Sequence, residues 1–190
     1  AIAKLIKKEN ISLVHVHNTL PLISPAVFYA CRDSAVPVFQ TVHNFRQICL
    51  NAVLFRDGHI CTECIEKGFK SGVRHKCYRG SRIQSETMMR TLMAAYAHGI
   101  YRYVNFICLT EFNRDMILKI NDMYDRSVID FNKVFIKPNF VPEIHVEDNA
   151  DKIRHQFIYI GRIGINKGTD VLFEAWKEMP EDYRLIVCGE

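Results

Sequence analysis

Short apolar runs alternate with stretches of helical spacing along this chain, and that alternation limits its architecture more than any other feature. Leu13-Val14-His15-Val16, Pro37 to Val42, Val104 to Leu109 and Val134-Phe135-Ile136 have the length and continuous apolar character of strands covered on both faces. Between them lie helical patterns. Ala1 to Lys8 sets Ile2, Leu5 and Ile6 opposite Lys4, Lys7 and Lys8, and Ser24-Pro25 offers a capping hydroxyl and a first-turn proline to the run Ala26 to Cys31. Ile83 to Arg102 repeats apolar residues at Met88, Leu92, Ala95 and Tyr96, and Glu111 to Met123 reads as a further helix. Strands that alternate with helices need crossover connections, and crossovers make parallel sheets, so the expected class is α/β.

The alternation is interrupted once and then restarts. Residues 45–81 lose all periodicity and read as a long insert inside a first domain of residues 1–141. A proline- and acid-rich stretch, 142–154, reads as a linker. Residues 155–190 then open a second domain, with a strand at Phe157-Ile158-Tyr159-Ile160, a helix over Thr169 to Met179 and a strand over Arg184 to Cys188. Two strands and one helix do not bury a core of their own, so the second domain is expected to continue past Glu190.

Composition narrows the function classes. The 190 residues are 48% apolar and 24% charged, as in ordinary globular proteins. The longest run free of acids and cations, Ile11 to Cys31, contains His15, His17, Asn18, Pro21 and Pro25, which a membrane span tolerates poorly. A net charge of +4 is too weak to imply nucleic acid. The seven cysteines, with no secretion signal in view, fit reduced thiols, metal ligands or core residues in a cytoplasm. Cys31, Cys108 and Cys188 fall in apolar helix or strand positions and read as core. Cys49, Cys61, Cys64 and Cys77 share the insert, and a C-x2-C pair with two further cysteines suits either a structural zinc or a set of free loop thiols. The insert also concentrates Lys67, Lys70, Arg74, Lys76, Arg79 and Arg82 against Glu63 and Glu66. That charge fits an anionic acceptor, a membrane surface or a solvated face. A zinc-stapled nucleic-acid module is the reading from another class, and the scarcity of aromatics for base stacking in the insert counts against it.

The segment Tyr159-Ile160-Gly161-Arg162-Ile163-Gly164-Ile165-Asn166-Lys167-Gly168 carries the most specific chemistry. A strand runs into a loop with two cations and then into a helix near Thr169. Parallel sheets bind ligands at the carboxyl ends of their strands, and helix N-termini attract phosphate. Arg162 suits a bidentate grip and Lys167 a point charge, although a solvated turn with two surface cations fits the same pattern.

Four other stretches accompany this loop and Val171-Leu172-Phe173-Glu174-Ala175-Trp176. They are His15-Val16-His17-Asn18, Thr41-Val42-His43-Asn44, Leu109-Thr110-Glu111-Phe112 and Lys137-Pro138-Asn139-Phe140-Val141. In this order, over essentially the whole chain, they resemble the retaining glycosyltransferases of family 4. The resemblance implies the GT-B fold, here as most of an N-terminal Rossmann-like domain followed by the first βαβ unit of a C-terminal one. It implies transfer of a sugar from a nucleotide-sugar donor to a glycan or lipid-linked acceptor with retention of configuration, in surface polysaccharide assembly at the inner face of a membrane.

It further implies that Gly161, Arg162, Lys167 and Gly168 hold the donor. His43 would face the transferred sugar and act with Arg162 and Lys167 in catalysis, while Asn18, Glu111 and Asn139 would lie on the acceptor side of the cleft. No cofactor is required for catalysis, and zinc enters only as a structural ion on the four insert cysteines. The family's early glycine-rich loop and its later Glu-x7-Glu segment would lie outside this chain, which alone is expected to be inactive. On residue chemistry alone, His15, His17 and His43 are strand-end histidines equally suited to structural roles, and Glu111 is a helix-start acid that complements the dipole. A nucleotide-sugar epimerase of the same fold is the second enzyme reading.

Overall fold

The computed structural model describes residues 1–20, 22–124, 127–143 and 154–190. The chain divides into two compact units, Ala1–Phe140 and Val141–Glu190. Of the stretch read as a linker, all but residues 142, 143 and 154 lies outside the described residues.

In chain order the first unit contains α1 (Ile2–Lys8), β1 (Val14–Val16), α2 (Ala26–Asp33), β2 (Val38–Val42), a hairpin of β3 (Phe55–Arg56) and β4 (His59–Ile60), α3 (Glu63–Lys67), α4 (Lys70–Arg74), α5 (Arg82–Ala97), β5 (Asn105–Cys108), α6 (Glu111–Met123) and β6 (Val134–Ile136). Four strands form one parallel sheet in the order β1-β2-β5-β6. His15 pairs with Phe39, Thr41 with Ile107 and Cys108 with Ile136, so all four strands end along one edge. The first unit is therefore mixed α/β with a parallel sheet, compatible with a Rossmann-like arrangement.

The strands are apolar because helices cover them. Val38, Val42, Phe106 and Cys108 are buried against Phe28 and Cys31 of α2, Leu92 and Tyr96 of α5, and Ile117 and Ile120 of α6. Full burial of each large apolar side chain contributes about 1.5–3 kcal/mol. Helix starts follow local chemistry. Ser81 Oγ accepts from the Gln84 N–H at 3.3 Å to start α5, and Thr110 Oγ1 accepts from the Asn113 N–H at 3.1 Å to start α6.

Three boundaries differ from the sequence reading. At α2, Pro25 itself occupies the cap, while Ser24, at φ +61°, accepts from the Ala26 N–H at 3.3 Å from one residue further out. The helix expected to reach Arg102 stops at Ala97, because Gly99 turns left-handed at φ +64° and a 3-10 turn, Ile100–Arg102, follows. In the second unit the helix ends at Trp176 rather than Met179.

The insert, without periodicity in the sequence, nevertheless contributes to the core. Ile48, Leu50, Leu54, Phe69 and Tyr78 are buried in the same cluster as the sheet. Gly72 fits under this packing because a Cβ there would lie 2.9 Å from Leu50 Cδ1 and 3.0 Å from Cys64 Sγ.

The second unit consists of β7 (Gln156–Ile160), a 3-10 turn (Ile165–Lys167), α7 (Thr169–Trp176) and β8 (Arg184–Cys188), with β7 and β8 paired in parallel in their own sheet. Cys188, expected in a core, is exposed, as is most of its strand. Among the described residues no helix is long and apolar enough to cross a membrane.

Candidate functional site

Parallel strands that stop together leave their next residues on a common rim. At the rim of the first unit, residues from four strands and their following turns line a cavity of about 190 Å³: His15, His17, Thr41, His43, Ile107, Leu109, Lys137, Pro138, Asn139 and Phe140. His17 Nδ1 and His43 Nε2 are 2.7 Å apart, so one ring donates and the other accepts. His15 Nε2 hydrogen-bonds Thr41 Oγ1 at 2.8 Å, and the rings of His15 and His17 lie 4.6 Å apart. Desolvation holds the His43 imidazole below its ordinary value, with the charges of His17 and His15 adding to the effect. A neutral ring with one free nitrogen role can share a hydrogen bond with a hydroxyl. The Lys137 ammonium lies 5.4 Å from the Phe140 ring centre, so a cation stands on the same rim.

Beside this cavity, Asn44 Nδ2 donates to Asn18 Oδ1 at 2.9 Å across the β1 and β2 ends. Both asparagines line a second, polar cavity of about 40 Å³ with Thr19, Leu20, Gln40, Arg46, Gln47 and Tyr101. Glu111 is the exposed first residue of α6, which starts where β5 ends, but it lines neither cavity. The structure thus puts His43, expected to face the transferred sugar, in one cavity with Asn139 of the expected acceptor side, and of the other two acceptor-side residues it puts Asn18 in the neighbouring cavity and Glu111 at the head of the adjoining helix.

The roles of Thr41, Lys137, Gln40, Gln47 and Arg46 were not read from the sequence. Their signal was present but faint: each stands on a strand or within a few residues of its carboxyl end, which is where a parallel sheet exposes polar groups. A larger cavity, about 720 Å³, lies between the insert and the two long helices, lined by residues including Lys67, Lys70, Met89, Met93, Asp122 and Met123. It draws on the last turn of α6, which runs away from the strand-end rim where that helix begins.

In the second unit, Arg162 and Lys167 are both exposed on the loop between β7 and α7. The loop is closely determined. Thr169, 3% exposed, accepts from the Gly164 N–H at 3.0 Å through its hydroxyl oxygen, and Tyr159 Oη donates to Arg162 O at 2.9 Å. Gly168 precedes α7 in the left-handed region at φ +69°, where glycine is preferred. A Cβ on Gly189 would fall 1.8 Å from Gly161 O, so the chain past β8 passes directly over the start of the loop.

The four insert cysteines act on one another electrostatically, Cys77 with Cys49, Cys61 and Cys64. The Cys64 thiol donates to the Cys49 sulfur, and this bond holds Cys49 below the ordinary thiol value against the opposing effect of burial, with help from the N–H groups of Leu54, Asn51 and Ala52. The same bond, and burial, push Cys64 up. Among the described residues no group of three or more His, Cys, Asp or Glu is arranged to hold a metal ion. The insert is tied to the core by its buried apolar side chains.

No family model, no curated protein and no solved structure matches the chain.

Proposed function

We propose that this chain belongs to a glycosyltransferase of the GT-B type that moves a sugar from a nucleotide donor to a glycan or lipid-linked acceptor with retention. The observation that carries the proposal is the gathering of His15, His17, His43 and Asn139 in one cavity at the carboxyl ends of a parallel sheet, where folds of this type bind substrate. The exposed cations of the β7–α7 loop, at a strand end and ahead of a helix, supply the complementary part, a place for a diphosphate.

The chemistry follows from those groups. As the bond from the anomeric carbon to the diphosphate oxygen breaks, negative charge grows on the leaving group, and Arg162 and Lys167 are the cations proposed to stabilise it. The acceptor hydroxyl attacks from the face that the diphosphate leaves, and its proton passes to the departing phosphate oxygen. His43, kept neutral, is a hydrogen-bond partner for the transferred sugar rather than a permanent charge.

Transfer assays on the protein bearing this chain, with radiolabelled nucleotide sugars, test the reading. Arg162→Ala and Lys167→Ala are each expected to lower turnover about a hundredfold or more, the scale of losing one preorganised charge-stabilising group. Both side chains are exposed, so neither change should lower the melting temperature. Near-normal turnover in both variants would refute the assignment. A product that forms equally well without an acceptor would favour an epimerase instead.

A further inference from the structure

The backbone of the insert gathers its four cysteines in two linked pairs. Leu54 joins the first pair: its N–H donates to the Cys49 sulfur, and its carbonyl accepts from the Cys61 N–H at 2.9 Å. The β3–β4 hairpin, with Phe55 paired to Ile60, fixes that link. Gly72 joins the second pair. A Cβ on it would lie 3.0 Å from the Cys64 sulfur, and its carbonyl accepts from the Cys77 N–H at 2.9 Å. Cys61, just ahead of α3, and Cys64, in the first turn of that helix, connect the two pairs.

The surroundings of these sulfurs suit negative charge. Cys49 and Cys64 are only 5% and 6% exposed, and burial alone disfavours a thiolate. Yet the Cys49 sulfur receives the N–H groups of Asn51, Ala52 and Leu54, and the Cys64 sulfur receives that of Leu50. A neutral thiol is a weak acceptor, whereas a metal-bound thiolate is oriented and stabilised by such donors. Arg56 adds a cation. It acts on the Cys77 thiol, and its Nε and Nη1 are buried with no hydrogen-bond acceptor among the described residues, although Asp57 and Glu63 lie 3.4 and 3.3 Å from the guanidinium. A buried guanidinium with spare donors fits a neighbouring cluster that keeps net negative charge.

We propose that Cys49, Cys61, Cys64 and Cys77 together bind one zinc ion through four thiolates. The histidines of the insert have other partners, His75 on Glu63 and His59 on the Asp57 carbonyl, so the ligand set is all sulfur. Soft thiolates select zinc over hard divalent cations, and a four-sulfur shell leaves no open position, which makes the ion structural rather than catalytic. As thiols, the side chains do not converge on one point among the described residues. Their protons run along a chain instead, from Cys64 to Cys49 and from Cys49 to Asn51 Oδ1 at 2.9 Å. Protons and zinc compete for the same sulfurs. On binding, four S–H bonds break, the protons pass to solvent, and four Zn–S bonds of roughly 2.3 Å form with no change of oxidation state. The ion thereby anchors the segment that leaves β2 through Asn44 and Arg46, and it does so whatever reaction the protein performs.

The complete chain, purified under reducing conditions from zinc-supplemented cells, is expected to carry one zinc per molecule by plasma mass spectrometry. A mercurial that caps thiols should release this zinc to a chromophoric chelator. Exchange with cobalt should give the intense visible absorption of a tetrahedral site together with sulfur-to-cobalt charge transfer. In competition titrations, Cys49→Ser, Cys61→Ser, Cys64→Ser and Cys77→Ser should each weaken zinc binding about a hundredfold or more, at least the cost of losing an outer-shell partner. Cys188→Ser, exposed and outside the insert, should leave it unchanged. Chelation should lower the melting temperature, because the ion binds only the folded chain.

The zinc count and the cobalt spectrum are read on the unaltered chain, so the test does not depend on any variant folding. A zinc-free chain whose insert thiols react freely with a disulfide reagent overturns the proposal. So does a disulfide between any two of the four cysteines, iron in place of zinc, or undiminished zinc affinity in any of the four serine variants. None of these readouts involves sugar transfer, so their failure leaves the transferase reading standing, and loss of the transferase reading leaves the zinc site standing.

Discussion

His43 shows how a residue that is ordinary in the sequence acquires a defined state from its neighbours. It follows the last residue of β2 as His17 follows the last residue of β1, and the parallel pairing of Val16 with Gln40 leaves His43 two residues beyond the level of His17, close enough for the 2.7 Å hydrogen bond between their rings. The motif spacing made both histidines visible but could not say that they touch, since strand order is not written in either motif. Desolvation and the neighbouring imidazoles depress the His43 proton affinity, which fixes the sign of its pH effect. A depressed imidazole contributes stability fully present above the unfolded value near 6.5, and loses it as pH falls through the lower folded value. An NMR titration of the ring protons is expected to place the His43 midpoint below 6.5. His17→Ala should move that midpoint upward without restoring it fully, because burial is the larger cause. An unmoved midpoint would mean that the two rings do not interact in solution.

At the scale of elements, the βα alternation was legible because long apolar runs and capped helices each carry a strong periodic signal, and β2, β5, α5 and α6 all fall where that signal lies. The insert was not, because its buried residues are spread over elements too short for any period to develop. Leu50, Phe69 and Tyr78 sit in a loop, at a helix cap and in a turn, yet join one cluster.

Gly72→Ala tests that packing, because the new methyl would press on Leu50, which is fully buried and has no room to rotate away. The expected loss is about 1–3 kcal/mol by urea denaturation, the usual cost of overpacking a tight core. A neutral result would show that the insert packs loosely. The paired thiols give a second handle. Cys49 is held below the ordinary thiol value of 9.0, so from that value downward the unfolded chain binds more protons than the folded one. Stability should therefore rise with pH toward 9.0, and Cys49→Ser should flatten the slope. Denaturation series at several pH values would show whether it does.

The distribution of burial over the whole molecule separates the two units more sharply than their topology does. Every buried apolar side chain among the described residues lies at or before Ile129, and from residue 154 onward only Thr169 is buried. In β7, Phe157, Ile158 and Ile160 remain 48%, 59% and 76% exposed, although such a run in a parallel sheet ordinarily has both faces covered. One pair of strands and one helix cannot offset the conformational entropy of ordering them. Residues 1–140 are therefore expected to unfold cooperatively on their own, because the whole core belongs to them. Residues 154–190 alone should show no sigmoidal transition. Since the urea m-value scales with the surface exposed on unfolding, the complete chain and the 1–140 fragment should give the same m-value within error. Urea titrations followed by far- and near-ultraviolet circular dichroism on the three species decide it. A cooperative transition in 154–190, or an m-value clearly larger for the complete chain, would show that the second unit buries a core of its own in solution.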